Sequence, residues 1–430
     1  MKNDIANRLE LYFDRLWPIH RSIMGAGFRE SLNILEELIP VNRLSFKTGQ
    51  KVFDWTVPNE WIIRDAYFID PDGKKHANYK TNNLHIVSYS IPFQGTMNLD
   101  ELSRHIYTLP DIPDAIPYIT SYYKENWGFC ISHNELKSLP DGEYKIYIDS
   151  ELMPGTLEIG EAFLPGESKK EILFSTYLCH PSLANNELSG PLALAFLYEK
   201  IKNMESRHFS YRFVISAETI GTISYLSIRG KHLKDYLVAG YIMTCLGDKG
   251  NFTYKLSRQE NTLADKAAQV VLANNEEHSV LTFDPSNGSD ERQYCSPGFN
   301  LPVGSLMRTM YGEYPEYHTS LDNKSKINFF ALSHSVDIYY LIVEALENNF
   351  FYTINMEYCE PQLIKYELYP KIGTAKLLEG ETAAIAWLLN YSDGEHDLFD
   401  ISLKSNIDVQ LLYKSAEILC KKKLLQKIYY

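Results

Sequence analysis

The chain has 430 residues, and 55 acidic residues against 42 basic ones give it a net charge of −13. The apolar fraction of 45% is enough to build hydrophobic cores, which argues against intrinsic disorder. The negative balance argues against proteins that bind nucleic acid or anionic membranes, because both kinds of binding depend on positive charge. The length predicts about two to three domains.

Features that would direct the chain out of the cytoplasm are not found in the sequence. Residues 1–13 mix charges and lack the apolar core of a signal peptide. No later window approaches the roughly 18 consecutive apolar residues of a membrane span. The six cysteines are far apart and form no CxxC pair, which is typical of reduced thiols. We therefore expect a cytoplasmic protein.

The pattern of apolar residues divides the chain into successive regions. Helical spacing from residue 1 to about 39 predicts two helices. Residues 51 to about 165 contain short Val-, Ile-, Tyr- and Phe-rich runs separated by turn pairs, which predicts a β domain. Further along, predicted strands at 171–178, 212–217, 237–246 and 301–307 alternate with predicted helices at 189–201, near 223–228, 262–275 and 327–346. This alternation predicts an α/β fold, a mixed sheet with helices on both faces.

The C-terminal region after Gly373 changes character again. Two or three short helices and a closing strand fit a winged helix. We therefore predict an α/β domain of residues 1–50 and 166–365, an inserted β domain of residues 51–165, and a winged-helix-like domain of residues 366–430.

The predicted winged helix is a poor candidate for DNA binding. From Glu379 to the end it has eight acidic and six basic residues, and it has no arginine to read guanine edges. We therefore expect this region to mediate oligomerisation or to bind a protein partner, and we expect no nucleic-acid partner.

Polar side chains cluster around the ends of the predicted strands. In chain order they are His180, Glu218, Asp248, Asp290, Arg292, Tyr317 and His318. Ligands of open α/β sheets bind beyond the carboxyl ends of the strands. Imidazoles and carboxylates together can hold a catalytic metal and accept the proton of an attacking water. For each histidine, a hydrogen-bonded role without metal is the alternative.

Several sequence runs resemble a known family. His180, the NNELSG run of residues 185–190, Glu218 and the YHT run of residues 317–319 resemble, in order and spacing, zinc aminopeptidases that include bacterial leucyl aminopeptidases and glutaminyl cyclases. The runs FDWTVPNEW, NWGFC, CHPS, ETIG, GSDERQYCSPGFNLPVGS and YHTSLDN resemble a bacterial aminopeptidase-like family with a β insertion and a C-terminal winged helix. The resemblance covers nearly the whole chain.

The resemblance implies an activity and a set of site residues. It implies a metal-dependent hydrolase that cleaves a peptide N-terminus, or a small amide or aminoacylated compound, through metal-activated water. His180 and His318 would be zinc ligands, Glu218 the general base, and Tyr317 a hydroxyl that stabilises the oxyanion. The alternatives are that Glu218 is a surface acid and that Tyr317 serves packing.

The chain departs from the family pattern at three expected metal ligands. Asn186, Thr219 and Thr244 stand where the two-zinc enzymes have carboxylates. Two neighbouring cations repel each other unless carboxylates bridge and surround them. We therefore expect one zinc ion rather than two.

The ligands of a single zinc ion remain open at this stage. We expect His180 and His318 to hold it, helped by Asn186 or by a displaced acid, for which Asp248 and Asp290 are the candidates. Asp290 and Arg292 are otherwise candidates for binding a substrate group, with an ion pair within their loop as the alternative for Arg292. A non-catalytic binding module and a winged-helix regulator are the competing functions.

Overall fold

The computed structural model describes residues 2–368 and 379–428, with residues 2 and 3 described by their backbone alone. The chain begins with α1 (Lys2–Leu16) and α2 (Ala26–Leu35), followed by strand β1 (Asn42–Lys47). Both predicted helices are confirmed, and their apolar stripe is buried at Leu9, Phe13 and Leu16.

The inserted region forms a small β structure whose strands pair antiparallel, except for the parallel pair of Ile106–Tyr107 with Phe129–Cys130. Its elements are β2 (Lys51–Val52), β3 (Trp55–Thr56), β4 (Glu60–Ile69), β5 (Lys75–His76), β6 (Phe93–Asn98), α3 (Leu99–Ser103), β7 (Ile106–Tyr107), β8 (Phe129–Cys130), α4 (His133–Lys137) and β9 (Glu143–Met153). Four of the strands form a sheet in the order β5-β4-β9-β6, and β2 pairs with β3 in a hairpin. These short strands and turns agree with the predicted strand-and-turn region.

The next part of the chain completes a large sheet and its helices. The elements are β10 (Thr156–Leu164), β11 (Glu171–Tyr177), α5 (Ser189–Lys202), β12 (Ser210–Ser216), α6 (Ile220–Tyr236), β13 (Leu237–Met243), β14 (Phe252–Lys255), α7 (Leu263–Asn275), β15 (His278–Leu281), α8 (Glu291–Tyr294), β16 (Val303–Met307) and α9 (Phe329–Glu347).

The large sheet has eight strands in the order β1-β10-β12-β11-β13-β16-β14-β15. It is mixed, since β11, β12, β13 and β16 run parallel, whereas β10 and β14 run antiparallel to their neighbours β12 and β16. Strand β11 is buried at all seven residues because helices cover both faces, which explains its uninterrupted apolar run. The predicted mixed α/β sheet is confirmed.

One boundary differs from the sequence-based expectation. Residues 156–164, which we expected at the end of the insertion, form β10 of the large sheet and pair with β1 from Asn42↔Glu161 to Lys47↔Thr156. The small sheet ends at Met153, and the turn at Pro154 and Gly155 separates it from β10. The insertion therefore leaves and re-enters the large sheet on two paired strands.

The C-terminal part has the predicted winged-helix arrangement. It contains β17 (Phe351–Ile354), α10 (Gly380–Tyr391), β18 (Asp393–Asp397), α11 (Leu398–Ser405), α12 (Val409–Lys421) and β19 (Leu425–Ile428), with the strands ordered β18-β17-β19. Strand β17 lies in the stretch that we assigned to the α/β domain. Residues 369–378, which include Gly373, and residues 429–430 lie outside the described part of the chain.

Helix α9 is the most apolar long helix in the described part of the chain. By length and composition it could cross a membrane, but 56% of its apolar window is buried inside the protein. It packs against α1, α5 and α7. We therefore interpret α9 as a core helix.

Candidate functional site

A pocket of about 330 Å³ lies where the carboxyl ends of the parallel strands meet the inserted region. His180 follows β11, Glu218 follows β12, and His318 lies in the long connection after β16. All three side chains line the pocket. The structure thus brings together three site residues that the sequence placed at separate strand ends.

His180 is oriented by Glu187, a residue that is completely buried. Oε2 of Glu187 lies 2.6 Å from Nδ1 of His180, and Oε1 accepts a hydrogen bond of 2.9 Å from the backbone nitrogen of His180. Because the carboxylate accepts at Nδ1, Nε2 is left facing the pocket, 3.6 Å from Oε2 of Glu218. A carboxylate behind the ring is the usual support of a metal-binding histidine.

Arg21 holds the backbone of His180 through a hydrogen bond. Its side chain is 0% exposed, and it donates from Nε to the backbone oxygen of His180 at 3.3 Å and from Nη1 to Leu16 at 2.6 Å. Burial lowers the pKa of Arg21 to about 10, and the nearby Glu187 carboxylate opposes that shift. Neither Arg21 nor Glu187 was expected at the site from the sequence, although Glu187 lies in the NNELSG run of residues 185–190.

Glu218 presents its carboxylate to the pocket with one oxygen fixed. The hydroxyl of Ser289 donates to Oε1 at 2.5 Å, while Oε2 faces His180. The next residue, Thr219, has a φ of 62°, which is unfavourable for a β-branched side chain. Its backbone nitrogen donates to Oδ1 of Asp290 at 2.7 Å, which holds this strained turn in place.

Asp290 and Arg292 lie behind Glu218 rather than in the pocket lining. Oδ2 of Asp290 is buried and has no hydrogen-bond partner among the described residues. Burial, with the nearby Glu218 adding to it, raises the pKa of Asp290 to about 8. Arg292 donates from Nε to the backbone oxygen of Ser289 at 3.2 Å. These contacts shape the loop that holds Glu218; the predicted substrate contacts stay predictions.

His318 offers a nitrogen that the protein leaves unpaired. Its Nε2 is buried and has no hydrogen-bond partner among the residues that the structure describes. Burial, together with the charge of His180, lowers the pKa of His318 to about 3, so the imidazole is neutral. Its ring lies 5.3 Å from the ring of His180 and stacks on Tyr317 with 3.9 Å between centroids. A buried neutral imidazole with a free nitrogen is suited to binding a cation.

Two of the three positions that lack the expected carboxylate, Asn186 and Thr244, are linked by a neutral hydrogen-bond network around Tyr177. Its hydroxyl lies 2.7 Å from the hydroxyl of Thr244 and accepts from Nδ2 of Asn186 at 3.0 Å. Thr244 in turn donates to the backbone oxygen of Asn186 at 2.7 Å. Oδ1 of Asn186 is buried without a hydrogen-bond partner among the described residues. The network brings no negative charge to the place where a second cation would need it.

Asp248 and Asp322 support the segment that carries Asn186. The carboxylate of Asp248 accepts hydrogen bonds from Asn185, Gly250 and Thr309 at 2.6 to 2.8 Å, and Asp248 is not among the pocket-lining residues. Asp322, missed as a site residue, accepts from the backbone nitrogens of Asn185 and Asn186. Burial raises its pKa to about 6. A metal-binding role for Asp248 stays a prediction.

Three side-chain atoms at or near the pocket are candidate donors for a cation. Nε2 of His180, the unpaired Nε2 of His318 and the unpaired Oδ1 of Asn186 are nitrogen and oxygen donors of the kind that zinc accepts. Cys179, His180 and Glu187 also come within 4.8 Å of one another, but Glu187 and Nδ1 of His180 already bind each other. The two histidines therefore offer the kind of donor that a zinc ion accepts, and the number of ions stays a prediction.

The sequence matches two family models that divide the chain between α9 and β17. Residues 11–349 match a family described as a domain of unknown function (DUF4910). Residues 351–427 match a winged helix-turn-helix family. The predicted winged helix is thereby confirmed.

Two relatives resemble the chain along nearly its whole length. A protein of Clostridium acetobutylicum named "Putative polysaccharide biosynthesis protein with aminopeptidase-like domain" is 42% identical over 97% of this chain and 96% of its own length. A crystal structure from the same species, described as a "putative peptidase", is 40% identical with a TM-score of 0.90 and covers 99% of this chain and 97% of that chain.

More distant solved structures share the fold. The zinc aminopeptidase of Bacillus subtilis has a TM-score of 0.57 at 11% identity and covers 79% of this chain and 94% of that chain. A peptidase M28 precursor of Shewanella amazonensis has a TM-score of 0.58 at 12% identity and covers 81% of this chain and 93% of that chain. The resemblance to zinc aminopeptidases is thereby confirmed at the level of the fold.

Proposed function

Because this chain belongs to the family described as a domain of unknown function (DUF4910), whose aminopeptidase-like fold carries the pocket, we propose that it is a zinc-dependent hydrolase. It cleaves an amide bond at a peptide N-terminus or in a small amide or aminoacylated compound. One observation carries the proposal: Nε2 of His180 and Oε2 of Glu218 face each other at 3.6 Å, beside the unpaired Nε2 of His318.

The proposed metal site uses groups that are already oriented. His180 and His318 would hold one zinc ion, with Asn186 as a further donor. Glu187, bound to Nδ1 of His180, fixes the orientation of that ring. When bound, zinc acts as a Lewis acid that polarises the substrate carbonyl and lowers the pKa of water.

The remaining steps fall to side chains of the chain itself. Glu218 accepts the proton of the attacking water at Oε2 and passes it to the leaving nitrogen. Ser289 holds the other carboxylate oxygen, so that Glu218 cannot rotate away. Burial, with Glu218 adding to it, raises the pKa of Tyr317, so its hydroxyl stays protonated and can donate to the developing oxyanion.

A binding module is the second candidate function. The observation that favours it is the Tyr177 network, in which Asn186 and Thr244 bond to neutral groups instead of cations. In that case the pocket binds a small molecule without cleaving it. The relative named for polysaccharide biosynthesis makes a sugar derivative a reasonable ligand in either case.

The experiment compares the wild type, Glu218→Gln and Glu313→Gln with added zinc on a panel of aminoacyl amides and acyl amides. Glu313 is an exposed acid in the connection that leads to His318, and serves as the matched control. Turnover by the wild type and by Glu313→Gln, lost in Glu218→Gln, supports the hydrolase. Retained zinc without turnover of any amide favours the binding module.

We further infer that the winged helix binds protein rather than DNA. In helix-turn-helix proteins the first helix of the motif crosses the phosphate backbone. Here α11 begins with the capping box of Asp397 and Asp400, and Asp400 pairs with Lys266 of α7 at 2.7 Å. These carboxylates would repel phosphates. A gel-shift assay with duplex DNA should show no salt-sensitive retardation; such retardation would instead favour the regulator.

The site of action that we infer is the cytoplasm. All six cysteines are free, and four of them are buried. Reduced thiols are typical of that compartment.

A further inference from the structure

Aromatic side chains of the inserted region form one wall of the pocket. We call Trp55, Tyr118, Tyr122 and Tyr123 the aromatic rim. The proposed function leaves the rim without a role, because the chemistry needs only residues of the large sheet and its loops. A pocket of about 330 Å³ lies at the lower end of the range of about 300–1,000 Å³ that is typical of small-molecule sites.

The inner half of the rim is anchored directly to the histidines. The backbone nitrogen of Tyr118 donates to the backbone oxygen of His318 at 2.8 Å, and its ring lies 5.0 Å from the ring of His180. Its hydroxyl lies 2.8 Å from that of Tyr122. The rim therefore stands at a fixed position relative to the reacting groups.

The outer half of the rim faces water. Trp55 is 38% exposed and Tyr123 is 55% exposed, and their rings meet edge to face at 5.5 Å. The hydroxyl of Tyr123 donates to the backbone oxygen of Thr56 at 3.3 Å, which ties the tyrosine to the β2–β3 hairpin. Large apolar faces held in water beside a pocket are typical of surfaces that bind a ligand.

The degree of exposure indicates what kind of group stacks there. An apolar peptide side chain gains most when it is fully enclosed. The outer rim cannot enclose a substrate ring, but it can cover one face of that ring and leave its edges exposed to solvent. A sugar ring matches this, because its C–H face is apolar and its hydroxyls stay in water.

The charged side chains that line the pocket indicate whether the substrate carries a charge beside its amide bond. Among the described residues that line it, Glu218 is the sole carboxylate, and there is no lysine or arginine. A free peptide N-terminus is an ammonium group and needs a carboxylate partner when it leaves water. Glu218 cannot serve both as that partner and as the base. The lining therefore suits an uncharged acyl amide.

We propose that the substrate is an N-acylated amino sugar whose ring stacks on Trp55 and Tyr123 while its amide lies between His180 and Glu218. This inference rests on the proposed hydrolase function. In the reaction, the oxygen of water bonds to the acyl carbon and the C–N bond breaks. One proton of the water passes through Glu218 to the amine nitrogen. The acid that forms gives up the other proton, which the free amine binds, so the products are a carboxylate and an ammonium group.

Binding of methyl N-acetyl-β-glucosaminide tests the proposal without turnover. Calorimetry compares the wild type, Trp55→Leu and Phe53→Leu, all prepared without added metal. Phe53 is the matched control, because it is an exposed aromatic of the same hairpin whose ring packs on Phe299 outside the pocket. We expect Trp55→Leu to raise the Kd by about tenfold or more and Phe53→Leu to leave it unchanged. Circular dichroism checks that both variants fold.

Two comparison ligands make the test specific. Leucinamide carries an ammonium group, and N-acetylphenylalanine amide carries an aromatic side chain but no sugar; we expect both to bind more weakly than the glycoside. Equal affinity for either, no binding of the glycoside, or equal Kd values for the two leucine variants would overturn the sugar assignment.

The same variants separate this inference from the proposed function. One outcome would refute the hydrolase but support the sugar site: the wild type cleaves no amide with zinc, Glu218→Gln still binds the glycoside, and adding Trp55→Leu to Glu218→Gln weakens that binding. The opposite outcome would support the hydrolase but refute the sugar site: cleavage of aminoacyl amides is lost in Glu218→Gln and is unaffected by Trp55→Leu.

Discussion

The ammonium nitrogen of Lys255 lies 2.9 Å from Oε1 of Glu291, and the two side chains are 1% and 0% exposed. Lys255 also donates to the backbone oxygen of Asn287, while Glu291 accepts from the backbone nitrogen of Ser289. The pair thereby ties β14 to the loop that holds Glu218. A buried ion pair thus fixes the loop behind the proposed base.

Replacing Lys255 with methionine should destabilise the protein strongly. Glu291 would be left charged and unpaired in the interior, which typically costs about 3–5 kcal/mol. Urea denaturation measures the loss. Lys266→Met is the control, since the Lys266–Asp400 pair is partly exposed at 16% and 24% and should contribute only about 1 kcal/mol or less.

The double variant Lys255→Met/Glu291→Leu should recover much of that stability, because an apolar pair of similar size avoids the buried charge. If Lys255→Met alone unfolded at the same urea concentration as the wild type, the proposed cost of leaving Glu291 unpaired would be wrong.

Ser289→Ala should slow the proposed reaction without unfolding the protein. A hydrogen bond to a charged group contributes about 1.5–3 kcal/mol, so kcat/KM should fall by roughly ten- to a hundredfold. Ser286→Ala is the matched control, because its hydroxyl binds Asp284 in the same loop but on the exposed side. Equal rates for the two variants would mean that Ser289 does not position Glu218.

Asp290→Asn should change how stability depends on pH. The carboxyl of Asp290 has a pKa raised from 3.8 to about 8 in the folded state, mainly by burial. Between these values the folded chain keeps a proton that the unfolded chain releases, so the unfolding free energy of the wild type falls as pH rises.

The asparagine variant lacks this titration and can still accept from Thr219. Its advantage over the wild type should therefore grow from about pH 4 to about pH 8 and then level off, as measured by urea denaturation across that range. A difference that stays constant with pH would show that Asp290 does not titrate in this way.

His318→Gln should lose most of its bound zinc. The wild type should carry about one zinc ion per chain when purified without chelator, as measured by elemental analysis. His278→Gln is the control, because that histidine lies on edge strand β15, outside the pocket lining, and its Nδ1 lies 3.0 Å from the backbone oxygen of Glu276. Two zinc ions in the wild type would refute the single-ion site, and zinc retained by His318→Gln would remove that residue from it.

The strands at the centre of the large sheet could be predicted because a strand buried on both faces consists mostly of consecutive apolar residues. Strands β11 and β12 are covered on both faces, so their apolar runs are uninterrupted. Strand β10 was assigned to the wrong sheet because its pairing with β1 joins residues more than 100 positions apart, which no local pattern records. The short strands β14 and β15 were missed for a similar reason.

The candidate site was predictable where chemistry follows strand ends. The expectation that His180, Glu218 and His318 lie close together followed from the rule that ligand sites lie at one edge of a sheet, and all three line one pocket. Arg21 and Ser289 were not predicted, because their roles come from contacts with His180 and Glu218, which lie 159 and 71 positions away. Serines and arginines are common on surfaces, so only the folded contacts single them out.

The two ends of the insertion lie side by side. The backbone nitrogen of Thr48 donates to the backbone oxygen of Gly155 at 3.0 Å, and the nitrogen of Gly155 donates to the hydroxyl of Thr48 at 2.9 Å. The large sheet is therefore continuous without the segment between them. That segment is held a second time at its far side, where the backbone nitrogen of Tyr118 donates to the backbone oxygen of His318. The insertion supplies Trp55, Tyr118, Tyr122 and Tyr123 to the pocket, whereas the large sheet and its loops supply the two histidines and Glu218, so the shape of the entrance and the position of the polar groups are set by different parts of the chain.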